Sequence, residues 1–119
     1  MATGDFRDLI VWQRSQELLR EVDRVTRKLP PEERYEMGSQ LRTATGSVSS
    51  NIAEGHSSAC RTVFLSQLSS AHASLEEVDN HLLSAVPVRR LCREDIADAL
   101  APSDEVGRML RVMRRELGG

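Results

Sequence analysis

The stretch FLSQLSSAHASLEEVDNHLLSA, residues 64–85, decides the fold class. Its apolar positions, Phe64, Leu68, Ala71, Leu75, Val78, Leu82 and Ala85, are spaced 4, 3, 4, 3, 4 and 3. That alternation is the seam of an amphipathic helix, and a strand would instead alternate every second residue. The helix is predicted over 62–85, ended by Pro87. Ser66, Ser69, Ser70, Ala73 and Ser74 add small side chains that let a neighbouring backbone come close. The segment contains no Lys or Arg, and Glu76, Glu77 and Asp79 make it the acidic helix of the chain.

The same period extends in both directions. Upstream, Val11, Ser15, Leu18, Val22 and Val25 form a seam widened by Leu9, Trp12 and Leu19, which predicts a first helix over 6–28. Asp5 is its expected N-cap, with Asp8 in the place of a capping-box acid, and Leu29-Pro30-Pro31 breaks it. Glu32, Glu33 and Glu36 suit a short helical start after the prolines. A second long helix over 39–54 turns Leu41, Ala44, Val48 and Ile52 inward, with Met37 just ahead of it and Gly55 as the expected left-handed stop. Downstream, Ile96, Ala99, Ser103, Val106, Leu110, Met113 and Leu117 stay in phase across Pro102. A last helix over 93–116 follows, either bent at the proline or broken at 101–103 with Ser103 as a new cap. The expectation is an all-α fold: a single domain, 1–119, built as an antiparallel up-down-up-down four-helix bundle.

Composition narrows the functional classes. With 119 residues, 39% hydrophobic and 29% charged, the chain has room for one core and lacks any run long and apolar enough to span a membrane. Aromatics are confined to Phe6, Trp12, Tyr35 and Phe64, too few for a base-stacking platform. A net charge of −2 removes any bulk attraction to nucleic acid or anionic lipid, so such binding needs a local patch. Cys60 and Cys92 have neither metal-ligand spacing nor the density of a disulfide framework, which points to free thiols in a cytoplasmic protein.

Catalytic constellations are sparse. A di-iron bundle uses inward Glu-x-x-His pairs, and the sequence has none. The nearest approach is His72 with Glu76 and His81 with Glu77 on the acidic helix, which reads as solvated helix surface. Cys60 with His56 is the one candidate thiol pair, without an orienting third group. No enzyme activity, metal or cofactor is expected. Among the 16 basic residues, all Arg except Lys28, two clusters stand out: Arg89, Arg90 and Arg93 around the third link, and Arg108, Arg111, Arg114 and Arg115 at the end of the last helix. Cations at that end complement the helix dipole, and the alternative is a phosphate-binding surface, multiplied if copies assemble around an axis.

The most unusual stretch pairs Gln40-Leu41-Arg42 with Asn51-Ile52-Ala53-Glu54-Gly55. Glu54 at the negative end of its helix calls for a cationic partner: Arg42, Arg61 or an Arg from another helix. Asn51 is expected to bond the backbone of a neighbouring helix. Gln40, Arg42, Asn51, Glu54 and Gly55 are therefore read as a structural polar motif.

At these residues the chain resembles the four-helix bundle family of 23S ribosomal RNA intervening-sequence proteins. Further points of likeness are Phe6-Arg7-Asp8-Leu9-Ile10-Val11-Trp12-Gln13, Leu29-Pro30 with Glu33, and Phe64-Leu65 with Ala71, Ser74, Leu75 and Glu77. The resemblance implies a cytoplasmic bundle that assembles into a ring-like homopentamer, a relation to accessory subunits of retroelement reverse transcriptases, and no established enzymatic activity. Its implied partners are further copies of itself; the Arg clusters, read on their own, add RNA or an RNA-binding protein as the alternative partner. After Gly55 the chain departs from the family pattern, placing His56-Ser57-Ser58-Ala59-Cys60 before Arg61 where an aromatic or Gly followed by Arg is common.

Overall fold

Four apolar seams find burial only against one another, and their residues carry the core. Leu18, Val22, Leu41, Val48, Ile52, Leu68, Val78, Leu82, Val106 and Leu110 have essentially no solvent access. Truncating one of the buried leucines to Ala would cost about 2–5 kcal/mol. The computed structural model describes residues 4–119, so residues 1–3 of the expected domain lie outside the described residues. Among the described residues the chain has four long helices and no strand. Helix α1 runs Ile10–Thr26, the short α2 Pro31–Arg34, α3 Met37–Ser57, α4 Arg61–Ser84 and α5 Arg93–Glu116.

The long helices stand as a square. α1 packs against α3 and α5, and α4 packs against α3 and α5, which leaves α1 and α4 on one diagonal. Along α1 and α3, Ser15 meets Ser49 and Thr26 lies beside Gly38. Along α4 and α5, Asp79 meets Ser103 and Leu75 lies beside Gly107. Arg14 Nε reaches Glu105 Oε1 at 2.9 Å and Lys28 Nζ reaches Asp95 Oδ1 at 3.3 Å, tying α1 to α5 near both ends.

Two sequence expectations change, and one open alternative is decided. Asp5 caps a separate 3-10 turn, Phe6–Asp8, rather than α1. Its carboxylate accepts the Arg7 backbone N–H at 2.8 Å and binds the Arg7 guanidinium at 2.7 Å, which closes the turn locally. Leu9 is then extended, with ψ 128°, so the first helix starts afresh at Ile10. Phe6 packs edge-on against Trp12, ring centroids 5.3 Å apart, and folds the turn back on α1. At the other end Arg34 donates to the carbonyls of Leu29 and Arg27, satisfying groups that the Pro-Pro break leaves open.

Gly55 does not stop its helix. It is buried within α3, which runs on to Ser57, and Ser58 makes the exit with its hydroxyl on Gly55 O at 3.0 Å. A Cβ at position 55 would lie 2.8 Å from Phe64 Cδ1 and 2.9 Å from Gln67 Cβ. Glycine is required there for the close approach of α4 rather than for a left-handed turn.

Pro102 leaves α5 continuous from Arg93 to Glu116, so the single-helix alternative holds over the broken one. Ser103 does not cap a new helix. Its hydroxyl points to α4 and donates to Asp79 Oδ1 at 2.6 Å.

Candidate interaction surfaces

The polar motif of α3 does not form a network between helices. Asn51 Nδ2 donates to Ser47 O at 2.8 Å within its own helix, a correction to the expected bond to a neighbour. Arg42 lies back along α3 over Gly38, where a Cβ would be 3.2 Å from its Nη1. Gln40, Arg42 and Glu54 are exposed. Glu54 has no cation within 4.0 Å among the described residues, and Arg61 instead lies over Gly118. The expected pairing of Glu54 with Arg42 or Arg61 is therefore absent within the chain.

The buried polar contacts lie elsewhere. Ser15 Oγ sits 2.8 Å from Ser49 Oγ and 2.6 Å from Trp12 O, and Gln16 Nε2 donates to Ser49 Oγ at 3.0 Å. The sequence signal was Ser15 standing at a seam position; Ser49 had none. On the opposite edge of the square, between α4 and α5, burial pushes the Asp79 carboxyl above its ordinary range, the Ser103 hydrogen bond opposes it, and Asp104 and Glu76 add to the rise.

The histidines make two separate i,i+4 contacts, His72 to Glu76 at 3.8 Å and His81 to Glu77 at 3.5 Å. No group of three or more His, Cys, Asp or Glu side chains converges on a point among the described residues. His56 is buried edge-on against Phe64, and its Nε2 has no hydrogen-bond partner, so that nitrogen does not engage Cys60. Cys60 is exposed at the start of α4, where the backbone N–H groups of Val63 and Thr62 draw its thiol pKa down. At the start of α5 the carboxylates of Glu94 and Asp95 push the exposed Cys92 thiol up.

The two Arg clusters occupy opposite ends of α5, whose 24 residues span about 36 Å. In the first, Arg89 takes a left-handed backbone with φ 60°, Arg90 Nε binds Glu33 Oε1 at 3.1 Å, and Arg93 stands beside Glu94 and Asp95. Interleaved acids cancel much of that charge. In the second, Arg108 pairs with Asp104 at 2.7 Å, whereas Arg111, Arg114 and Arg115 have no carboxylate within 4.0 Å among the described residues. These four arginines, Val112 and Gly119 line one open depression that contains no acidic side chain.

A further surface escaped the sequence reading. An open apolar groove runs between α1 and α5, lined by Leu9, Ile10, Met109, Val112 and Met113, with Arg108 and Asp8 on its rim. Ile10 is 59% exposed and Val112 42%. Their adjacency to the seam residues Val11 and Met113 was the available signal. Tyr35, at 89% exposure, is the one aromatic turned fully to solvent among the described residues.

A family model described as 23S rRNA-intervening sequence protein matches residues 7–112, a span that holds the polar motif and the groove up to Val112, with Arg114 and Arg115 outside it. No curated protein matches the chain.

Proposed function

Because the chain belongs to the 23S rRNA-intervening sequence protein family, we propose that it works without catalysis, as an assembly module. In this reading an antiparallel up-down-up-down bundle associates into a ring-like homopentamer and offers the ring to a macromolecular partner. The antiparallel order is supported by the contacts: along α1 residue numbers rise from 15 to 26 while those opposite fall from 49 to 38. On α4 and α5, Leu75 pairs with Gly107 and Asp79 with Ser103 in the same opposed sense.

The observation that carries assembly is the exposed apolar groove between α1 and α5. Ile10 and Val112 stand in water beside half-buried methionines, an arrangement that gains free energy when a second surface covers it. The count of five comes from the family resemblance. Size-exclusion chromatography with light scattering, read at 260 and 280 nm, tests it. The expected particle is about five times 13.3 kDa, and a monomer at micromolar concentration refutes the reading. The cytoplasm is the matching compartment, since the exposed thiols of Cys60 and Cys92 are unpaired.

A second reading, binding of RNA or of an RNA-binding protein, is favoured by the depression around Arg108, Arg111, Arg114 and Arg115, whose lining holds no acidic side chain. Repetition around a ring would multiply its field. It requires an RNA affinity that falls steeply with salt. Replacing Arg111 and Arg114 with Glu should reduce the log-log salt slope by about two, and a slope unmoved by those changes removes the reading.

A further inference from the structure

The groove between α1 and α5 raises the question of what fills it, and the chain itself carries a matching surface. In the square of helices, the α1/α5 edge lies opposite the α3/α4 edge. Residues 43–53 of α3 and 62–75 of α4 contain no Asp, Glu, Lys or Arg. Their exposed positions are filled chiefly by small side chains, among them Thr43, Ser50, Ser66, Ser70 and Ala73. Charge returns on this side at Glu54, an exposed carboxylate at the negative end of α3 with no cation within 4.0 Å among the described residues.

We propose that the α1/α5 groove of one copy receives the α3/α4 face of a second copy, head to tail, with Arg108 of the first reaching Glu54 of the second. The inference rests on the assembly reading and names its interface. Shape favours it, because Ile10 and Val112 project where the opposite face is small. Register favours it as well: Ser15 faces Ser49, so five residues back along α1 and five on along α3 bring Ile10 and Glu54 to the same height. A neighbour related by rotation about an axis along the helices would then meet the groove at that height.

Charge agrees. Arg108 is held only by an exposed i,i+4 pair with Asp104, which exchanges readily in water. Glu54 gains the cation that its position on the helix dipole calls for. One long side of the bundle, about 45 by 20 Å, sets an upper bound on the order of 900 Å² on what such a contact buries per copy, which leaves room for the roughly 800 Å² a stable interface takes from each partner. The two surfaces differ and sit on opposite sides of one chain, so the contact is heterologous and closes a ring or runs on as a fibre.

The test uses one variant on each face, Val112→Asp in the groove and Ser50→Arg opposite, both at exposed helix positions, with helical circular dichroism as the check on folding. Each variant alone is expected at 13.3 kDa, and an equimolar mixture at about twice that mass and no more, because each copy retains one working face. Glu54→Arg and Arg108→Glu should each lower the wild-type mass, and the double variant should restore it. Variants that keep the wild-type mass, or a mixture that stays monomeric, overturn this interface while leaving assembly intact. A monomeric wild type instead overturns the assembly reading itself.

Discussion

Gly55→Ala is a substitution whose sign separates two accounts of the same residue. Were Gly55 on an open helix surface, alanine would stabilise α3 by about 1 kcal/mol through helix propensity alone. The new methyl would instead stand 2.8 Å from Phe64 Cδ1 and 2.9 Å from Gln67 Cβ. The Phe64 ring can tilt, but Gln67 Cβ is fixed to the α4 backbone, so α3 and α4 must separate by several tenths of an ångström. Overpacking of this kind costs about 1–3 kcal/mol, and subtracting the propensity gain leaves a net loss of up to about 2 kcal/mol. Urea unfolding at fixed protein concentration measures it. A double-mutant cycle with Phe64→Leu should recover at least about 0.5 kcal/mol of coupling. A stabilised Gly55→Ala protein would refute the close approach of α3 to α4, and with it the reason for glycine at this position.

Two further outcomes follow from the titrating groups. Asp79 has a folded-state pKa raised above its ordinary value, chiefly by burial, so the native state binds its proton more tightly than the unfolded chain does. It therefore costs stability at neutral pH and the cost is relieved as pH falls through the raised pKa toward the ordinary carboxylate range. The stability of Asp79→Asn minus that of wild type should accordingly fall as pH is lowered from neutrality into the ordinary carboxylate range in paired urea titrations, and a constant or rising difference over that whole span would contradict the burial. The two thiols should also differ, because backbone N–H groups favour the Cys60 thiolate while carboxylates disfavour that of Cys92. A chromogenic disulfide reagent should show two phases at neutral pH, the fast one lost in Cys60→Ser, and equal rates would remove the distinction.

The fold was legible because burial enforces period. Every apolar seam residue from Phe64 to Ala85 is buried in the structure, as are Val11, Leu18, Val22 and Val25 on α1. Even Pro102 could be read correctly from the unbroken phase of Ile96 to Leu110. What failed was the chain's local punctuation. Asp5 has the chemistry of an N-cap, but Arg7 beside it turned that chemistry into a separate short turn. Gly55 combines the residue type and the position of a helix stop, and only the distance to Phe64 and Gln67 reveals the other use of a missing side chain. Such a distance depends on two helices at once and leaves no trace in the spacing of either.

The surfaces obey a harsher limit. A core position and an interface position both want apolar side chains at helical spacing, so Val112 beside Met113 reads as a broad seam, although the fold turns it to solvent. Unpaired charge is a better guide. Glu54 drew attention in the sequence because a carboxylate at the end of a helix lacks electrostatic support, and Arg42 and Arg61 both lie elsewhere, beside Gly38 and Gly118. A requirement visible in one chain and unmet within it is met most simply by another copy. In the proposed interface the small side chains of α3 and α4 would acquire a reason that the monomer does not give them, by allowing the approach that brings Arg108 of a neighbour to Glu54.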